Sequence, residues 1–353
     1  MDYFSIFDKN FPLSSKYKAD ELISYYNDYV QRFVYKELEL LPDVHILDCS
    51  KLEVPLENNN YEESGVLKVR DNEITRGYKL ATLRGISGDY GIIEEIKLGQ
   101  INTHDLELSK DMLLNSEALK EGDSLIQDRE FISREMVNFL KNTRKVDVYM
   151  PVKKNMVIYE QAVKIAKEQD NWQSHPNKKR QDQEVQLVCE LEGFWSHDEH
   201  DVPLNACVVR DTSDSDKEEY YVFTTTDTSK SAKSIIKTYE LRPEIEEDYR
   251  QLKDFWNLDN FQSTKHNFVA FHIVMVLLGY LFFQLYKETE EGSKFRKKSL
   301  PVVLKNYVVS KPKDIIVYIK DCFGIFSFVE FIEIYANCPN DIRLKLQSVI
   351  ALM

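Results

Sequence analysis

The sequence has no excess of basic charge. Its 46 lysines and arginines are outnumbered by 59 aspartates and glutamates, a formal net charge of −13. Proteins that hold nucleic acid over their whole surface carry the opposite balance, so any such binding here is confined to a local groove. Cysteine is scarce as well: Cys49, Cys189, Cys207, Cys322 and Cys338 are odd in number and form no Cys-x-x-Cys pair. That excludes a disulfide framework and a zinc knuckle, and predicts reduced thiols in a cytosolic protein. Met1 to Asn10 is neither basic nor followed by an apolar run, so no secretory signal is expected. A Walker-type glycine loop, a Ser-His-Asp order, internal repeats and low-complexity tracts are all missing. One run, Phe268 to Tyr286, is apolar nearly all round, and a membrane span needs roughly 20 such residues. It holds His272, Gly279 and Gln284 and follows a strongly polar amphipathic helix. The run therefore reads as a buried core helix, with no membrane as partner.

What is present is a chain of 353 residues, 43% hydrophobic, enough for a full core and more than one structural unit. Residues 1–40 form a helical lead-in, ended by Leu41-Pro42. Strands follow over Val44–Val54, Val66–Ile74 and Tyr78–Leu83, with Ile92–Leu98 pairing beside them. A helix fits His104–Asn115, a short buried strand Ser124–Asp128, an amphipathic helix Ser133–Asn142 and a strand Val146–Val152. This order makes 41–152 the first part of an α/β core, a mixed sheet flanked by helices. From 153 to 228 the texture changes to a separate β-rich insertion. It has a helix over Met156–Gln169, strands over Val185–Trp195, Leu204–Arg210 and Tyr220–Thr226, and acidic loops between them. Residues 229–290 return to the core, and 291–353 read as a mostly helical C-terminal region.

Three acids stand out by position. Asp48 interrupts an apolar strand, Asp128 ends a short buried one, and Glu246 lies on a helix between Tyr239 and Lys253. Buried or strand-terminal acids are uncommon unless paired or holding a metal. Two aspartates on neighbouring strands and a glutamate from a helix across them make a workable site for two divalent cations. On that helix Tyr239, Arg242, Glu246 and Lys253 share a sector of roughly 60°, with Arg250 beside them. Leu241, Ile245, Tyr249, Leu252 and Trp256 gather on a separate apolar face. Pro243 predicts a break between Leu241 and Glu244. The competing reading is a solvated helix with i,i+4 charge pairs. His197 and His200 read as a solvated acidic turn, and Lys178-Lys179-Arg180 and Arg296-Lys297-Lys298 are candidates for DNA-backbone contact.

Tyr239-x2-Arg242-x3-Glu246-x6-Lys253 matches the Y-x2-R-x3-E-x6-K pattern, Asp48-Cys49-Ser50 fits an Asp-x-[Ser/Thr] context, and Asp128-Arg129-Glu130-Phe131 fits Asp-Arg-Gly-Phe at three of four positions. With the order Asp, Asp, β-rich insertion, Glu, the chain resembles bacterial cut-and-paste insertion-sequence transposases of the DDE class with the Tyr-Arg-Glu-Lys (YREK) signature, the insertion-sequence-four type. The resemblance covers about residues 41 to 290. It implies a ribonuclease H-like fold in which Asp48, Asp128 and Glu246 hold two Mg²⁺ or Mn²⁺ ions. It further implies that Tyr239, Arg242 and Lys253, with Arg250 adjacent, grip DNA phosphates. The implied activity is cleavage of transposon terminal inverted repeats and strand transfer into target double-stranded DNA. A homodimer on paired ends would carry it out, in the cytoplasm on the nucleoid. Two departures stand beside this. Pro243 takes the place where many relatives carry an aromatic residue. Only 47 residues precede Asp48, short for the usual DNA-recognition domain. They motivate the alternative of an inactive or truncated remnant that only binds DNA or partners.

Overall fold

The computed structural model describes residues 17–36, 41–68, 73–88, 90–191, 202–213, 218–290, 292–295, 314–319, 322–327 and 339. The chain divides into two compact units, 1–285 and 286–353. The first is built on one large mixed sheet. Strand β1 (Val44–Val54) pairs antiparallel along its whole length with β3 (Ile74–Ser87), and β3 pairs in turn with β4 (Tyr90–Gln100) and the short β2 (Gly65–Lys68). On its other side β1 runs parallel to β5 (Ser124–Gln127), and β5 parallel to β6 (Asp147–Pro151). The order β4-β3-β1-β5-β6, with an antiparallel meander on one side and parallel strands on the other, is the ribonuclease H-like arrangement. Being central, β1 is paired on both edges and its first half is covered on both faces, so that Ile46 and Leu47, which point opposite ways, are both buried just ahead of Asp48.

Helices cover both faces. On one lie α2 (Asp105–Asn115), α3 (Arg134–Phe139, continued by a π-turn over Leu140–Arg144) and α4 (Val157–Gln169). Their Leu113, Val137 and Ala162 pack on Leu47, Leu83 and Val148. Cys49 joins this face, as alternation from Asp48 requires. On the other lie α5 (Ala232–Tyr239) and α6 (Pro243–Trp256), whose Ile235, Ile245 and Tyr249 pack on Ile46 and Ile126. The apolar helix α7 (His266–Glu288) and α1 (Ala19–Tyr29, continued by a π-turn to Tyr35) complete that layer. Although α7 is long and apolar enough to cross a membrane by length and composition, Val269, Ile273, Leu277 and Leu281 are buried with Leu52, Tyr78 and Ile96 of the sheet. Each such side chain withdrawn from water contributes roughly 1.5–3 kcal/mol. Helix α1 covers the β4 edge: Asn27 exchanges two hydrogen bonds with the Ile96 backbone, at 2.9 and 3.1 Å, in place of a further strand.

The strands of 153–228 continue the same sheet. β10 (Glu219–Thr225) pairs antiparallel with β6, followed outward by β9 (Leu204–Asp211), β8 (Gln183–Leu191) and the two-residue β7 (Gln173–Ser174). The free edge of β6 supplies the hydrogen-bonding groups they need. Trp195, His197 and His200 lie outside the described residues. In the second unit, β11 (Asp314–Ile319) and β12 (Cys322–Ser327) form an antiparallel hairpin within the region read as mostly helical. Most of 291–353, with Arg296-Lys297-Lys298, lies outside the described residues.

Candidate active site

Register brings the two aspartates together. Leu47 is the partner of Gln127 in the parallel β1–β5 pair, so the residue after each, Asp48 and Asp128, stands on strands about 4.8 Å apart. Each aspartate has one oxygen engaged by its own chain. Asp48 Oδ1 accepts from the Cys49 N–H at 2.9 Å, and Asp128 Oδ1 accepts from the Arg129 N–H at 2.7 Å, capping the 3₁₀ turn Arg129–Phe131. The Oδ2 atoms are left for the site.

The third acid arrives on α6. Helix α5 stops at Tyr239, a turn follows (Glu240 to Arg242), and Pro243 opens α6 at its first position, where its missing N–H costs nothing. The break expected at Pro243 therefore falls where the sequence places it. Arg242 sits at the N-cap position of the new helix without capping it, and its guanidinium stands among all three acids. Nη1 donates to Glu246 Oε1 at 2.5 Å, while Nη2 reaches Asp48 Oδ2 at 3.3 Å and Asp128 Oδ2 at 3.4 Å. The Nε of Arg242 is buried without a hydrogen-bond partner. Among the described residues no three acidic, histidine or cysteine side chains are close enough to ligate an ion together; one arginine stands between them.

The electrostatics follow from crowding. Burial pushes the Asp48 carboxyl up to about 6; Arg242 and the Cys49 N–H pull against it, and the charges of Asp128 and Glu246 add to it. Burial raises the Tyr239 phenol, Arg242 opposes, and the three acids add to the rise. Burial alone would lower the Arg242 guanidinium, but Asp48 and Asp128 more than reverse this and it is raised. The acids are hard oxygen donors with open lone pairs, and they already share one cation. That donor set fits Mg²⁺ or Mn²⁺.

Of the sequence candidates, Asp48, Asp128, Glu246, Arg242 and Tyr239 are gathered in one place, with Tyr239 stacked obliquely on Phe223 at 4.7 Å between ring centres. Lys253 is close by but committed, its Nζ donating to the Lys51 carbonyl at 2.7 Å, and burial lowers its pKa. Arg250 is not brought in. It is exposed and holds Glu247 and Asp254 on its own helix, which is the i,i+3 and i,i+4 pairing of an ordinary solvated face. Glu130 turns to Lys153 at 3.4 Å. The basic loop is anchored through Arg180, 3.2 Å from Glu240 in the α5–α6 turn, leaving Lys178 and Lys179 exposed.

Sequence reasoning missed three features. Tyr249, read as plain core, donates to the Asp48 carbonyl at 3.0 Å and is also hydrogen-bonded to Thr82. A groove of about 840 Å³ runs from Asp128 and Arg242 past Arg129, Lys153 and Lys154 to Tyr221. Lys154 lies 5.7 Å from the Tyr221 ring, which is 39% exposed. Arg84 and Asp248 form a buried ion pair behind α6. The sequence signal for the last was an aspartate sharing a helix face with Ile245 and Leu252.

A ribonuclease H-like sheet that sets two strand-borne aspartates against a helix-borne glutamate defines the nucleases and strand transferases of nucleic acid. The chain belongs to one family of these: it matches the Transposase DDE domain over residues 72–282, more than half its length. Membership implies phosphoryl transfer on DNA and the use of divalent metal ions. Asp128 and Glu246 fall inside the matched stretch, and Asp48, ahead of it, is joined to it through β1. No curated protein matches the chain.

Proposed function

We propose that the chain is a cut-and-paste transposase of the Tyr-Arg-Glu-Lys kind, cleaving transposon terminal inverted repeats and joining them to target DNA. One observation carries this: Asp48, Asp128 and Glu246, from two strands and a helix, converge on a single guanidinium. In this reading the three acids hold two Mg²⁺ or Mn²⁺ ions, which when bound activate the attacking oxygen and stabilise the leaving one. Arg242 then gives up the acids and turns its fork to a DNA phosphate. Tyr239, beside it, orients that phosphate. Lys253 keeps its hold on the Lys51 carbonyl and adds positive charge at the end of β1. Arg129, Lys153 and Lys154 carry the strand away along the groove, a local basic track on an acidic protein. A homodimer on paired ends, working in the cytoplasm on the nucleoid, belongs to the same reading.

The test is metal-dependent nicking of a terminal-repeat DNA by wild type and by Glu246→Gln. Wild type should cleave with Mg²⁺ or Mn²⁺, and the variant should lose about 10³-fold or more in rate while still binding DNA. Equal rates would remove the catalytic assignment. A second reading, a catalytically inactive DNA-binding relative, is favoured by the guanidinium that fills the acid centre. It predicts ion binding with no strand cleavage at any DNA end.

A further inference from the structure

Helix α6 is held from behind as well as from the site. Glu246 faces the aspartates, and Asp248, two residues on, points about 200° around the helix. Asp248 is 5% exposed, inside an interface otherwise lined by Ile245, Leu252 and the apolar helix α7. Arg84 of β3 donates from Nε to Asp248 Oδ2 at 2.5 Å and from Nη1 to Glu244 Oε2 at 2.9 Å. Tyr280 of α7 donates to Asp248 Oδ1 at 2.7 Å. The sheet has been cut to make room: a Cβ on Gly91 of β4 would lie 2.1 Å from the Arg84 guanidinium carbon. One position along the same face of β3, Thr82 holds Tyr249, which in turn holds the Asp48 carbonyl.

A buried ion pair is a poor source of stability, because desolvating both charges offsets their attraction, and an apolar pair of similar volume often does as well. What it supplies is direction. A planar guanidinium forked onto Glu244 and Asp248, one helical turn apart, permits one rotation and one axial setting of α6. Leu and Ile contacts tolerate small slips in both. That setting is the one that aims Glu246 at Asp48 and Asp128.

We propose that Arg84, Asp248 and Tyr280 are positioning residues: a buried clamp that fixes the rotation of α6, and with it the place of Glu246 in the ion site. The inference rests on the reading of Asp48, Asp128 and Glu246 as the ion-holding set. A displacement near 1 Å of a reacting group lowers rate by about 100-fold, so the clamp acts through geometry and not through contact with substrate.

The discriminating variant replaces the clamp by apolar residues of similar volume, Arg84→Met with Asp248→Leu. Its thermal midpoint should stay at or above that of wild type. Mn²⁺ binding, read by the spectrum of bound Mn²⁺ without DNA, should weaken about tenfold, and kcat for end cleavage should fall by a similar factor or more with KM for DNA unchanged. A double variant with wild-type Mn²⁺ affinity and kcat overturns the proposal. Should the double variant not fold, Tyr280→Phe, which deletes one hydroxyl, reads the same quantities. Weaker Mn²⁺ binding at an unchanged midpoint supports the clamp, and unchanged binding refutes it. Glu246→Gln serves as the control: if it binds Mn²⁺ as wild type does, the ion-site reading fails by itself, independently of the clamp.

Discussion

Raising the pH from 7 to 9 should weaken the fold through one residue, His45. Its side chain is fully buried on β1, three residues ahead of Asp48. Nδ1 lies 2.7 Å from Glu94 Oε2 and Nε2 lies 3.0 Å from Asp123 Oδ2. Tyr35 donates to the other Glu94 oxygen at 2.5 Å, and the Lys120 N–H donates to Asp123 Oδ2 at 2.6 Å. Gly85 completes the cage, since a Cβ there would come within 2.5 Å of the Glu94 carboxyl. Burial alone would lower the imidazole, but the two carboxylates outweigh it and raise its pKa to about 9 from the usual 6.5. At 1.36 kcal/mol per pH decade, that rise corresponds to about 3 kcal/mol of stability. Because the folded value is the higher one, the contribution is complete below pH 6.5 and fades as pH climbs through 9. Between pH 7 and 9 the loss is about 2 kcal/mol. Urea denaturation followed by circular dichroism at pH 6, 7, 8 and 9 measures it. His45→Gln should cost about 3–5 kcal/mol at pH 7, leaving two buried carboxylates without their cation, and should flatten the dependence above pH 7. The same slope in wild type and variant would refute the reasoning. Asp123 and His45 stand at the start of the strands that carry Asp128 and Asp48, so alkaline loosening here should be felt at the site.

Arg242→Ala should raise the affinity of the DNA-free protein for Mn²⁺ about tenfold, since a resident positive charge is removed from among the acids, while end cleavage falls; titration calorimetry decides, and weaker Mn²⁺ binding would contradict the counter-ion role of Arg242. Lys153→Ala with Lys154→Ala should weaken DNA binding alike for all sequences and reduce the slope of log affinity against log salt by about 2; an unchanged slope would mean that the groove carries no DNA backbone. Tyr249→Phe should cost about 1–2 kcal/mol in chemical denaturation, because Thr82 and the Asp48 carbonyl lose a buried partner; a cost near zero would show that the hydroxyl does not fasten α6 to β1.

Periodicity and punctuation, both local, made much of this protein legible. Val44–Val54 was readable as a strand because β-branched residues stand between Pro42 and Pro55, and the structure has it over those same residues. The break at Pro243 was readable because a proline cannot continue a helix from its own interior. Asp48, Asp128 and Glu246 stood out in the sequence because carboxylates seldom occupy such positions without a partner. Other features depended on partners far along the chain. Asp48 and Arg242 are 194 residues apart, Arg84 and Asp248 are 164 apart, and Lys253 meets a carbonyl 202 residues away. No spacing within one helix predicts those meetings. Helical geometry put Arg250 beside the signature face, yet in the fold Arg250 stays exposed and paired on its own helix while Asp248 is buried. The β-rich stretch read as separate because its texture changes at Lys153, but hydrogen bonding ignores texture, and the open edge of β6 drew its strands into the main sheet. By itself the sequence determined most elements of the core and singled out three acids by their positions. Only the tertiary structure decided that one arginine bridges all three and that a buried ion pair grips the helix bearing the third, because both depend on how β1, β3, β5 and α6 come together in space.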